Sequence, residues 1–369
     1  MRVALVYDRV NKWGGAERVL LALHEIWPEA PLFTAVYNPK KAQWAKVFQV
    51  FPSFLNKFPL GKTYHELYPW LMPLAFESFN FDNFEVVISV TSEAAKGIIT
   101  KPSTLHICYC LTPTRYLWSG YDDYFKNKML RLITKPIVNY LRKWDKIASW
   151  RPDCYVAISQ NIQQRIKKYY CQDSELIYPP IDTEFFKLKA KSSKRKTEKK
   201  NTKYFLIVSR LVPYKKIDIA VKAFNDLGLP LKIIGIGKQM GKLKRMANKN
   251  IEFLGQLTDE KLLSYYQNCL AVIFPQEEDF GLVPLEAQAC GKPVIAFRGG
   301  GAKETIIENK TGIFFDHQTP ESLITAIKKF KKMKFKVEDC QQNALRFSKE
   351  RFKKEFKDLV IRKWQEKMI

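Results

Sequence analysis

Two positively charged side chains in the second half of the sequence are placed where a phosphorylated ligand could bind. Arg210 and Lys215 follow a strand-like run, YFLIVS, and precede a helix-like segment that starts at Ile217. Open α/β sheets bind ligands in the loops after the carboxyl ends of their strands, and cations beside a helix N-terminus suit a pyrophosphate. Solvated cations are also common in loops, so both interpretations stay open for this pair.

Two glutamates, Glu278 and Glu286, form a second candidate pair with seven residues between them. Glu278 follows a strand-like run, and Glu286 lies in an apolar helix-like segment next to Leu285 and Ala287. A carboxylate in such surroundings needs hydrogen-bonding partners, which the hydroxyls of a sugar can supply. A solvated helix face is the alternative for a single glutamate, although the apolar neighbours of Glu286 argue against it.

Near the N-terminus, Gly14 and Gly15 separate a predicted strand at residues 3–7 from a predicted helix. Glycines at that place let the backbone approach a phosphate at the helix N-terminus, and an ordinary turn is the alternative. Asp8 ends the predicted strand. It could contact a ligand, cap a helix or form a salt bridge.

These residues need a scaffold, and the hydrophobic pattern of the sequence predicts an α/β architecture. Short β-branched runs alternate with longer segments of helical period, which indicates βαβ units and parallel sheets covered by helices. The amphipathic pattern of residues 327–369 predicts one or two helices at the C-terminus. Strands are predicted at residues 3–7, 86–90, 106–109, 154–158, 204–208, 231–234, 271–274 and 293–297.

The chain has 369 residues, which is enough for two domains with separate cores. Its 62 Lys and Arg against 37 Asp and Glu give a net charge of +25, so phosphate-bearing ligands, polyanions and anionic membranes are candidate partners. Because no apolar run approaches about 20 residues and the N-terminus has no signal-peptide layout, we expect neither an integral nor a secreted protein. The seven scattered cysteines lack metal-site spacing and indicate reduced thiols in the cytoplasm.

Together these motifs resemble those of the retaining nucleotide-sugar glycosyltransferases of family 4, which have the GT-B fold. The resemblance extends over nearly the whole chain. The segments EEDFGLVPLEA and TPTRYLW are similar to those of bacterial mannosyltransferases of O-antigen and related polysaccharide assembly. Besides the two charged pairs, the resemblance rests on residues 14–17 (GGAE), 106–118 (HICYCLTPTRYLW), 290–296 (CGKPVIA) and 299–305 (GGGAKET).

The resemblance implies two Rossmann-like domains with parallel sheets facing a cleft, and a C-terminal helix that crosses back to the first domain. We expect an acceptor-binding domain at residues 1–186 and a nucleotide-sugar-binding domain at residues 204–345. Residues 187–203 are rich in lysine and nearly devoid of apolar side chains, so they predict an exposed linker or loop. Residues 346–369 would form the returning helix.

The resemblance also implies roles for the charged residues. Arg210 and Lys215 would hold the donor diphosphate and neutralise the leaving group in place of a metal, so no cofactor is expected. Glu286 would bind the ribose, and Glu278 would face the transferred hexose; Glu278, Arg210 and Lys215 are thus the expected catalytic residues. The other implied donor contacts are Gly14, Gly15, Leu254 at the nucleobase, and the backbone amides of Phe280, Gly281 and Leu282.

On the acceptor side, the resemblance points to Asp8 and Arg115. Many relatives have a histidine where this sequence has Leu111, and that histidine is thought to touch the donor sugar near its reacting carbon. Leucine in place of this histidine removes a polar contact, so we expect no essential imidazole at this place. Tyr116 and Trp118 are interpreted as core aromatics.

The function implied is transfer of a hexose, with retention of configuration, onto a growing and lipid-linked glycan in cell-surface polysaccharide synthesis. Mannose from GDP-mannose is the favoured donor, and UDP-glucose or another nucleotide sugar is the alternative. Aromatic residues 51–81 and basic residues 126–151 predict docking of a cytoplasmic protein on the inner face of an anionic membrane, with core packing and solvated helices as the alternative. The alternative from another class is a non-catalytic module that binds nucleic acid or an anionic surface, but it would give the two charged pairs no function.

Overall fold

The computed structural model describes residues 1–125, 127–186 and 203–369. These residues form two α/β units. The first unit comprises Met1–Pro180 together with Glu350–Ile369, and the second comprises Ile181–Lys349. The linker predicted at residues 187–203 lies outside the described residues, except for Lys203.

The first unit is built on a seven-stranded sheet whose neighbouring strands run parallel. Its strands are β1 (Val3–Tyr7), β2 (Leu32–Thr34), β3 (Val50–Pro52), β4 (Val86–Thr91), β5 (Leu105–Cys110), β6 (Cys154–Ala157) and β7 (Glu175–Leu176). Their order in the sheet is β3-β2-β1-β4-β5-β6-β7. The central strands β1, β4 and β5 are buried along their whole length, which explains their mostly apolar sequences.

Helices of the first unit present one apolar face to the core. In the first of them the buried positions Val19, Leu20 and Leu23 have helical spacing, so one face packs inward. The side chain of Ser159 caps the last one by accepting a hydrogen bond from the amide of Ile162. The helices are α1 (Gly15–Ile26), α2 (Met72–Glu77), α3 (Tyr121–Tyr124), α4 (Lys128–Ala148) and α5 (Gln160–Tyr170).

The aromatic segment at residues 51–81 belongs in part to this core. Phe76 and Phe81 are fully buried, and Phe54, Tyr68 and Phe79 pack against the same cluster. The other aromatic side chains of this segment are exposed, so the membrane contact that the sequence suggested stays a prediction.

The second unit is built on a six-stranded parallel sheet. Its strands are β8 (Phe205–Val208), β9 (Leu231–Ile234), β10 (Ile251–Gly255), β11 (Val272–Phe274), β12 (Val294–Phe297) and β13 (Gly312–Phe315). Their order is β10-β9-β8-β11-β12-β13. The predicted alternation of strands and helices is thus confirmed for both sheets.

Helices of the second unit surround a core that includes Phe205, Phe224 and Leu323. The first of them ends at Gly228, whose φ of +63° is a conformation that glycine adopts without strain. The helices are α6 (Ile217–Leu227), α7 (Met240–Met246), α8 (Asp259–Asn268), α9 (Leu282–Ala289), α10 (Ala302–Thr305), α11 (Pro320–Phe330) and α12 (Val337–Leu345).

The last helix, α13 (Lys349–Met368), packs on the first unit. Phe352 and Phe356 lie with their ring centroids 5.8 and 5.6 Å from that of Tyr109 in β5. Phe356 also contacts Trp27 edge-on at 6.3 Å. The returning C-terminal helix expected from the sequence is therefore confirmed. Within the described ranges, no helix combines the length and apolarity that crossing a bilayer requires.

His106 lies at the amino end of β5, whereas ligand-binding loops of a parallel sheet leave the carboxyl ends. Its side chain is fully buried, and Nε2 lies 2.8 Å from the hydroxyl of Ser89. Burial lowers the pKa of the imidazole from 6.5 to about 3. His106 is thus neutral at physiological pH and belongs to the core.

We predict that His106 makes stability fall as the solution is acidified. The unfolded chain takes up a proton near pH 6.5 and the folded chain only near pH 3, so stability is complete above pH 6.5 and declines between these values. One extra proton in the unfolded state corresponds to a slope of about 1.4 kcal/mol per pH unit.

Urea unfolding of the His106→Gln variant at several pH values measures this contribution. The variant should show a flatter decline of the unfolding free energy, whereas the same substitution at the exposed His317 should keep the original steepness. An equally steep decline in both variants would contradict the prediction.

Candidate functional site

In the second unit, the order of the strands in the sheet changes direction between β8 and β11, which lie side by side at its centre. Strands β9 and β10 continue beyond β8, and β12 and β13 continue beyond β11. Open α/β sheets bind ligands at such a switch point, outside the carboxyl ends of the strands. Lys215 follows β8 and Glu278 follows β11, and the lysine ammonium donates a hydrogen bond to Oε1 of Glu278. The structure thus brings together two residues expected to be catalytic.

Burial and charge act on Glu278 in opposite directions. Burial alone would raise the pKa of this carboxyl, but the Lys215 ammonium, helped by Gln276 and Arg210, holds its pKa below the ordinary value. At neutral pH Glu278 is therefore ionised. An ionised carboxylate can only accept hydrogen bonds, which suits it to hydroxyl and ammonium donors.

Gln276 is a part of this site that the sequence argument missed. Its side chain is buried, and Nε2 donates a hydrogen bond of 2.9 Å to Oε1 of Glu278. Its own Oε1 is buried without a hydrogen-bond partner among the described residues. A buried acceptor in that state is unfavourable until a ligand or water donates to it. The sequence carried no signal for it beyond its position two residues before Glu278.

Arg210 is exposed at the same edge of the sheet. Its Nη2 donates a hydrogen bond of 2.6 Å to the hydroxyl of Tyr214, and the Lys215 ammonium lies 5.0 Å from the centroid of the Tyr214 ring. Tyr214 therefore contacts both cations. The exposed guanidinium can meet an anion from solution, as the sequence argument requires.

Glu286 is buried in α9 and accepts a hydrogen bond of 2.7 Å from the hydroxyl of Tyr266 in α8. The apolar neighbours of Glu286 indicated that this carboxylate needs a hydrogen-bonding partner, for which ligand hydroxyls were the expected donors. Tyr266 supplies a partner from the protein itself. The ribose contact of Glu286 stays a prediction.

The loop that carries Glu278 is packed against the three-glycine segment Gly299–Gly301. The amide of Gly301 donates a hydrogen bond of 2.9 Å to the carbonyl oxygen of Glu278. A Cβ added to Gly300 would lie 2.1 Å from that oxygen, and one added to Gly301 would lie 2.3 Å from Cα of Phe280. Any side chain at these positions would displace the loop, which explains the glycines of the GGGAKET motif.

The predicted backbone contacts at residues 280–282 lie between this loop and α9. The Phe280 side chain is buried, with its ring centroid 5.7 Å from that of Phe347, so only its backbone can meet a ligand. Gly281 has a φ of +94°, which a residue with a side chain rarely adopts. Leu282 is half-buried and opens α9. Ligand contacts of their amides stay a prediction.

Leu254 lies in a β-bulge of β10. The pairing register between β10 and β9 shifts between Phe253 and Gly255, so Leu254 has no directly paired residue on β9. Gly255 has a φ of +70°, and its carbonyl oxygen accepts a hydrogen bond from the Gly235 amide. Bulges of this kind redirect the backbone next to functional sites. The predicted nucleobase contact of Leu254 stays a prediction.

Asp8 in the first unit is fully buried and holds a loop of the protein itself. Its carboxylate accepts hydrogen bonds from the hydroxyls of Thr91 and Ser92 and from the amides of Ser92, Ala94 and Ala95, at 2.6 to 3.2 Å. These donors occupy both oxygens, so the structure favours a loop-capping role. The acceptor contact expected for Asp8 stays a prediction.

Gly14 and Gly15 stand at the N-terminus of α1, as predicted. The buried carboxylate of Glu17 lies close by: a Cβ added to Gly14 would lie 3.1 Å from Oε2 of Glu17. The hydroxyl of Tyr7 donates a hydrogen bond of 2.8 Å to Oε1 of Glu17. The protein thus places its own carboxylate where the sequence argument expected a phosphate, and the donor contact of both glycines stays a prediction.

The loop after β5 carries Leu111 and Arg115, which are both half-buried. Tyr116 and Trp118 pack against an apolar cluster around Leu117, in agreement with their interpretation as core aromatics. The acceptor role of Arg115 stays a prediction.

The described residues contain no group of three or more His, Cys, Asp or Glu side chains that could hold a metal ion. All seven cysteines are free thiols. Independence from metals stays an expectation that rests on Arg210 and Lys215.

Comparison with known proteins identifies a family for one part of the chain. Residues 189–347 match the family model described as glycosyl transferases group 1. The match covers less than half of the chain and includes the Lys215–Glu278 pair.

Two curated relatives that are similar to part of the chain are named glycosyltransferases. An uncharacterized glycosyltransferase of Methanocaldococcus jannaschii is 28% identical over 187 residues, which are 49% of this chain and 50% of the relative. A GDP-mannose-dependent alpha-(1-6)-phosphatidylinositol monomannoside mannosyltransferase of Mycolicibacterium smegmatis is 33% identical over 138 residues, which are 32% of this chain and 36% of the relative. The chain therefore spans half or less of the length of each of these relatives.

The fold is shared with a solved structure over nearly the whole chain. HepE of Anabaena, crystallised in complex with UDP, superimposes with a TM-score of 0.69 at 18% sequence identity, covering 98% of this chain and 99% of that chain. At such low identity the likeness concerns the fold alone. The expected GT-B fold, with two parallel-sheet α/β units, is confirmed.

Proposed function

We propose that this protein is a retaining glycosyltransferase that moves a hexose from a nucleotide-sugar donor to a glycan acceptor. The favoured donor is GDP-mannose, and the favoured acceptor is a lipid-linked glycan of cell-surface polysaccharide synthesis. The observation that carries the proposal is the Lys215–Glu278 pair at the switch point of the second sheet. It lies within the segment that matches group 1 glycosyltransferases.

The proposed reaction breaks the bond between the anomeric carbon and the diphosphate oxygen and forms a bond from that carbon to an acceptor oxygen. The electron pair of the broken bond goes to the diphosphate, whose growing negative charge Lys215 and Arg210 stabilise. For retention we favour attack from the face of the leaving group, with the departing phosphate oxygen taking the proton of the acceptor hydroxyl. The sequence offers no enzyme nucleophile placed like the carboxylate pair of retaining glycosidases.

The same site offers acceptors for the hydroxyls of the transferred sugar. Glu278 is ionised and accepts hydrogen bonds, and the buried Oε1 of Gln276 has an unused acceptor position. A sugar hydroxyl that donates to Gln276 would remove the unfavourable burial of that oxygen. Glu286 would bind the ribose, with Tyr266 holding its carboxylate in place.

The choice of GDP-mannose rests on the amino-acid sequences of the motifs and on the mycobacterial relative, whose name specifies GDP-mannose. UDP-glucose is the alternative donor because the Anabaena protein was crystallised with UDP. Neither relationship fixes the base or the sugar for this chain.

A donor screen tests the proposed function. Purified protein is incubated with GDP-mannose, UDP-glucose and further nucleotide sugars, and the release of nucleoside diphosphate is measured with and without glycan acceptors. Release from GDP-mannose above that of the Lys215→Ala variant would support the proposal. A preference for a UDP-sugar would overturn the donor, and no release from any nucleotide sugar would overturn the function.

We predict that transfer survives removal of divalent metals. Lys215 and Arg210 take over the charge neutralisation that a metal provides in other transferases. Activity in excess EDTA should equal activity in added Mg²⁺. A complete loss in EDTA that divalent metal restores would contradict this prediction.

A membrane-facing role is proposed for α4, which carries exposed apolar and basic side chains together. Leu132 and Ile133 are 72% and 67% exposed. Lys128, Arg131 and Lys135 line a shallow cavity of about 310 Å³ beside Leu132. Apolar side chains that enter the interface and cations that meet anionic headgroups are the two components of peripheral binding. We infer docking on the cytoplasmic face of the membrane, where a lipid-linked acceptor would lie.

We predict that the protein binds vesicles containing phosphatidylglycerol at low salt and leaves them as salt is raised. Each cation near the surface contributes about 1 kcal/mol, and salt screens this attraction. The double variant Leu132→Glu/Ile133→Glu should lose vesicle binding in a co-sedimentation assay, whereas Leu345→Glu on α12 should retain it. Equal binding by both variants, or no binding at any salt, would contradict the membrane role of α4.

A further inference from the structure

Two amide side chains of the second unit are buried and hydrogen-bonded to each other. Gln288 on α9 is fully buried, and Asn343 on α12 is 3% exposed. Nδ2 of Asn343 donates a hydrogen bond of 2.6 Å to Oε1 of Gln288. Because a buried amide is unfavourable unless its donors and acceptor find partners, such a pair specifies how the elements around it are arranged.

Both amides donate to one backbone carbonyl, that of Thr305 at the end of α10. Nε2 of Gln288 lies 2.8 Å from this oxygen, and Nδ2 of Asn343 lies 2.9 Å from it. Gln288 also donates to the carbonyl oxygen of Pro284 over 3.1 Å, and Nη1 of Arg346 donates to Oδ1 of Asn343 over 3.1 Å. Every nitrogen and oxygen of the two amides therefore has a partner, and α9, α10 and α12 meet at one carbonyl.

Helix α10 connects this carbonyl to the loop that carries Glu278. The amide and the hydroxyl of Thr305 donate to the carbonyl oxygen of Gly301 over 3.1 and 3.2 Å. The Gly301 amide in turn donates to the carbonyl oxygen of Glu278 over 2.9 Å. The position of Thr305 therefore affects the backbone on which Glu278 stands.

Helix α9 connects the same network to the second glutamate. Glu286 lies two residues before Gln288 on α9, and its carboxylate accepts a hydrogen bond from Tyr266. Just beyond α9, a Cβ added to Gly291 would lie 2.5 Å from Cγ1 of Val337, the first residue of α12. Helix α12 thus packs closely against the C-terminal end of the helix that carries Glu286.

We propose that Asn343 and Gln288 are positioning residues that hold Glu278 and Glu286 at the spacing that one nucleotide-sugar donor needs. This role rests on the proposed function, in which Glu278 faces the hexose and Glu286 binds the ribose of the same donor. A nucleotide sugar needs both carboxylates in register, because binding groups act together only when they are held in the productive geometry. A nucleoside diphosphate has no hexose, so Glu286 and the two cations can bind it without Glu278.

Isothermal titration calorimetry on the full chain tests this role with two pairs of ligands, GDP-mannose with GDP and UDP-glucose with UDP. Asn343→Leu keeps the approximate size of the side chain and removes its hydrogen bonds. It should weaken the nucleotide sugar that the native protein binds by about tenfold or more, and the matching nucleoside diphosphate by less than about threefold. A general loss of structure would weaken both ligands alike.

Asn250 provides the matched control in the same unit. Its Nδ2 also donates two hydrogen bonds to protein oxygens, the carbonyls of Phe224 and Leu229, over 2.8 and 2.7 Å. It directly precedes β10, at the amino end of the strand, whereas Glu278 follows the carboxyl end of β11. Asn250→Leu should therefore keep the native ratio of the two affinities.

Thr305→Val is a milder variant that keeps the shape of the side chain and loses one hydrogen bond to Gly301. It should lower the affinity for the nucleotide sugar relative to that for the nucleoside diphosphate by about twofold or more, including in the case that Asn343→Leu does not fold. Circular dichroism checks the fold of each variant.

The outcomes separate the positioning role from the proposed function. Equal weakening of both ligands by Asn343→Leu, a ratio that Asn250→Leu changes as much, or a native ratio in Thr305→Val would overturn the positioning role. The proposed function would stand in those cases, because the native protein still binds the nucleotide sugar. A native protein that binds no nucleotide sugar would overturn the proposed function and the positioning role with it.

Discussion

Replacement of Lys215 by alanine is expected to lower kcat by about a hundredfold or more while the protein stays folded. Removal of a charge placed against a leaving group withdraws roughly 3 kcal/mol of transition-state stabilisation. Lys215 also contributes most to the low pKa of Glu278, so its loss should weaken the contact of that carboxylate with the sugar. Initial rates with the donor found by screening measure the effect, and circular dichroism checks the fold.

The controls separate this role from a general effect of losing an ion pair. Lys232 on β9 pairs with Glu252 over 3.1 Å in the same unit, and Lys232→Ala should leave kcat unchanged. Glu278→Gln keeps the size of the side chain but not its charge, and it should lose most of the transfer. Native activity in Lys215→Ala would refute the proposed neutralisation of the leaving group.

The strands that were predicted from the sequence are mostly the buried, central ones. β1 and β9 agree with the prediction in both bounds, and β4, β5, β6, β8, β11 and β12 agree within about two residues at each end. The missed strands are β2, β3, β7, β10 and β13; none is longer than five residues, and β3 ends in Pro52. Such segments become strands because a neighbouring strand offers hydrogen bonds, and that neighbour is not visible in a local pattern.

The charged pairs after the central strands of the two sheets differ in how far the sequence predicts them. Lys215 and Glu278 stand in long motifs, so their pairing could be anticipated although 63 positions separate them. In the first unit Arg9, after β1, pairs with Glu93, after β4; they are 84 positions apart and neither belongs to a quoted motif. Their meeting depends on β1 pairing with β4, which only the sheet order provides. Asp8 was noticed for its type, but its role depends on amides that approach it from the β4 loop.

A buried ion pair joins the candidate loops of the first unit to α4. The Lys96 ammonium donates to Oδ1 of Asp145 over 2.5 Å and to the carbonyl oxygen of Glu93 over 2.6 Å. Thr114 and Trp118, in the loop after β5, also donate to Asp145. The position of Glu93 and of the loop that carries Arg115 therefore depends on one carboxylate of α4. No pattern in the sequence indicated this network, because Asp145 lies among basic residues that suggested a solvated helix.

The Asp145→Ala variant is expected to lose about 3–5 kcal/mol of unfolding free energy, because it leaves the buried Lys96 ammonium without its counter-charge. Lys96→Met should be milder, since Asp145 keeps neutral donors in Thr114, Trp118 and Tyr170. The double variant should be more stable than Asp145→Ala, because no charge then remains buried alone. Asp173→Ala breaks the exposed pair with Lys167 and, as the matched control, should change stability by less than about 1 kcal/mol. Urea unfolding measures all four variants, and an Asp145→Ala effect no larger than that of Asp173→Ala would mean that the network does not hold the loops together.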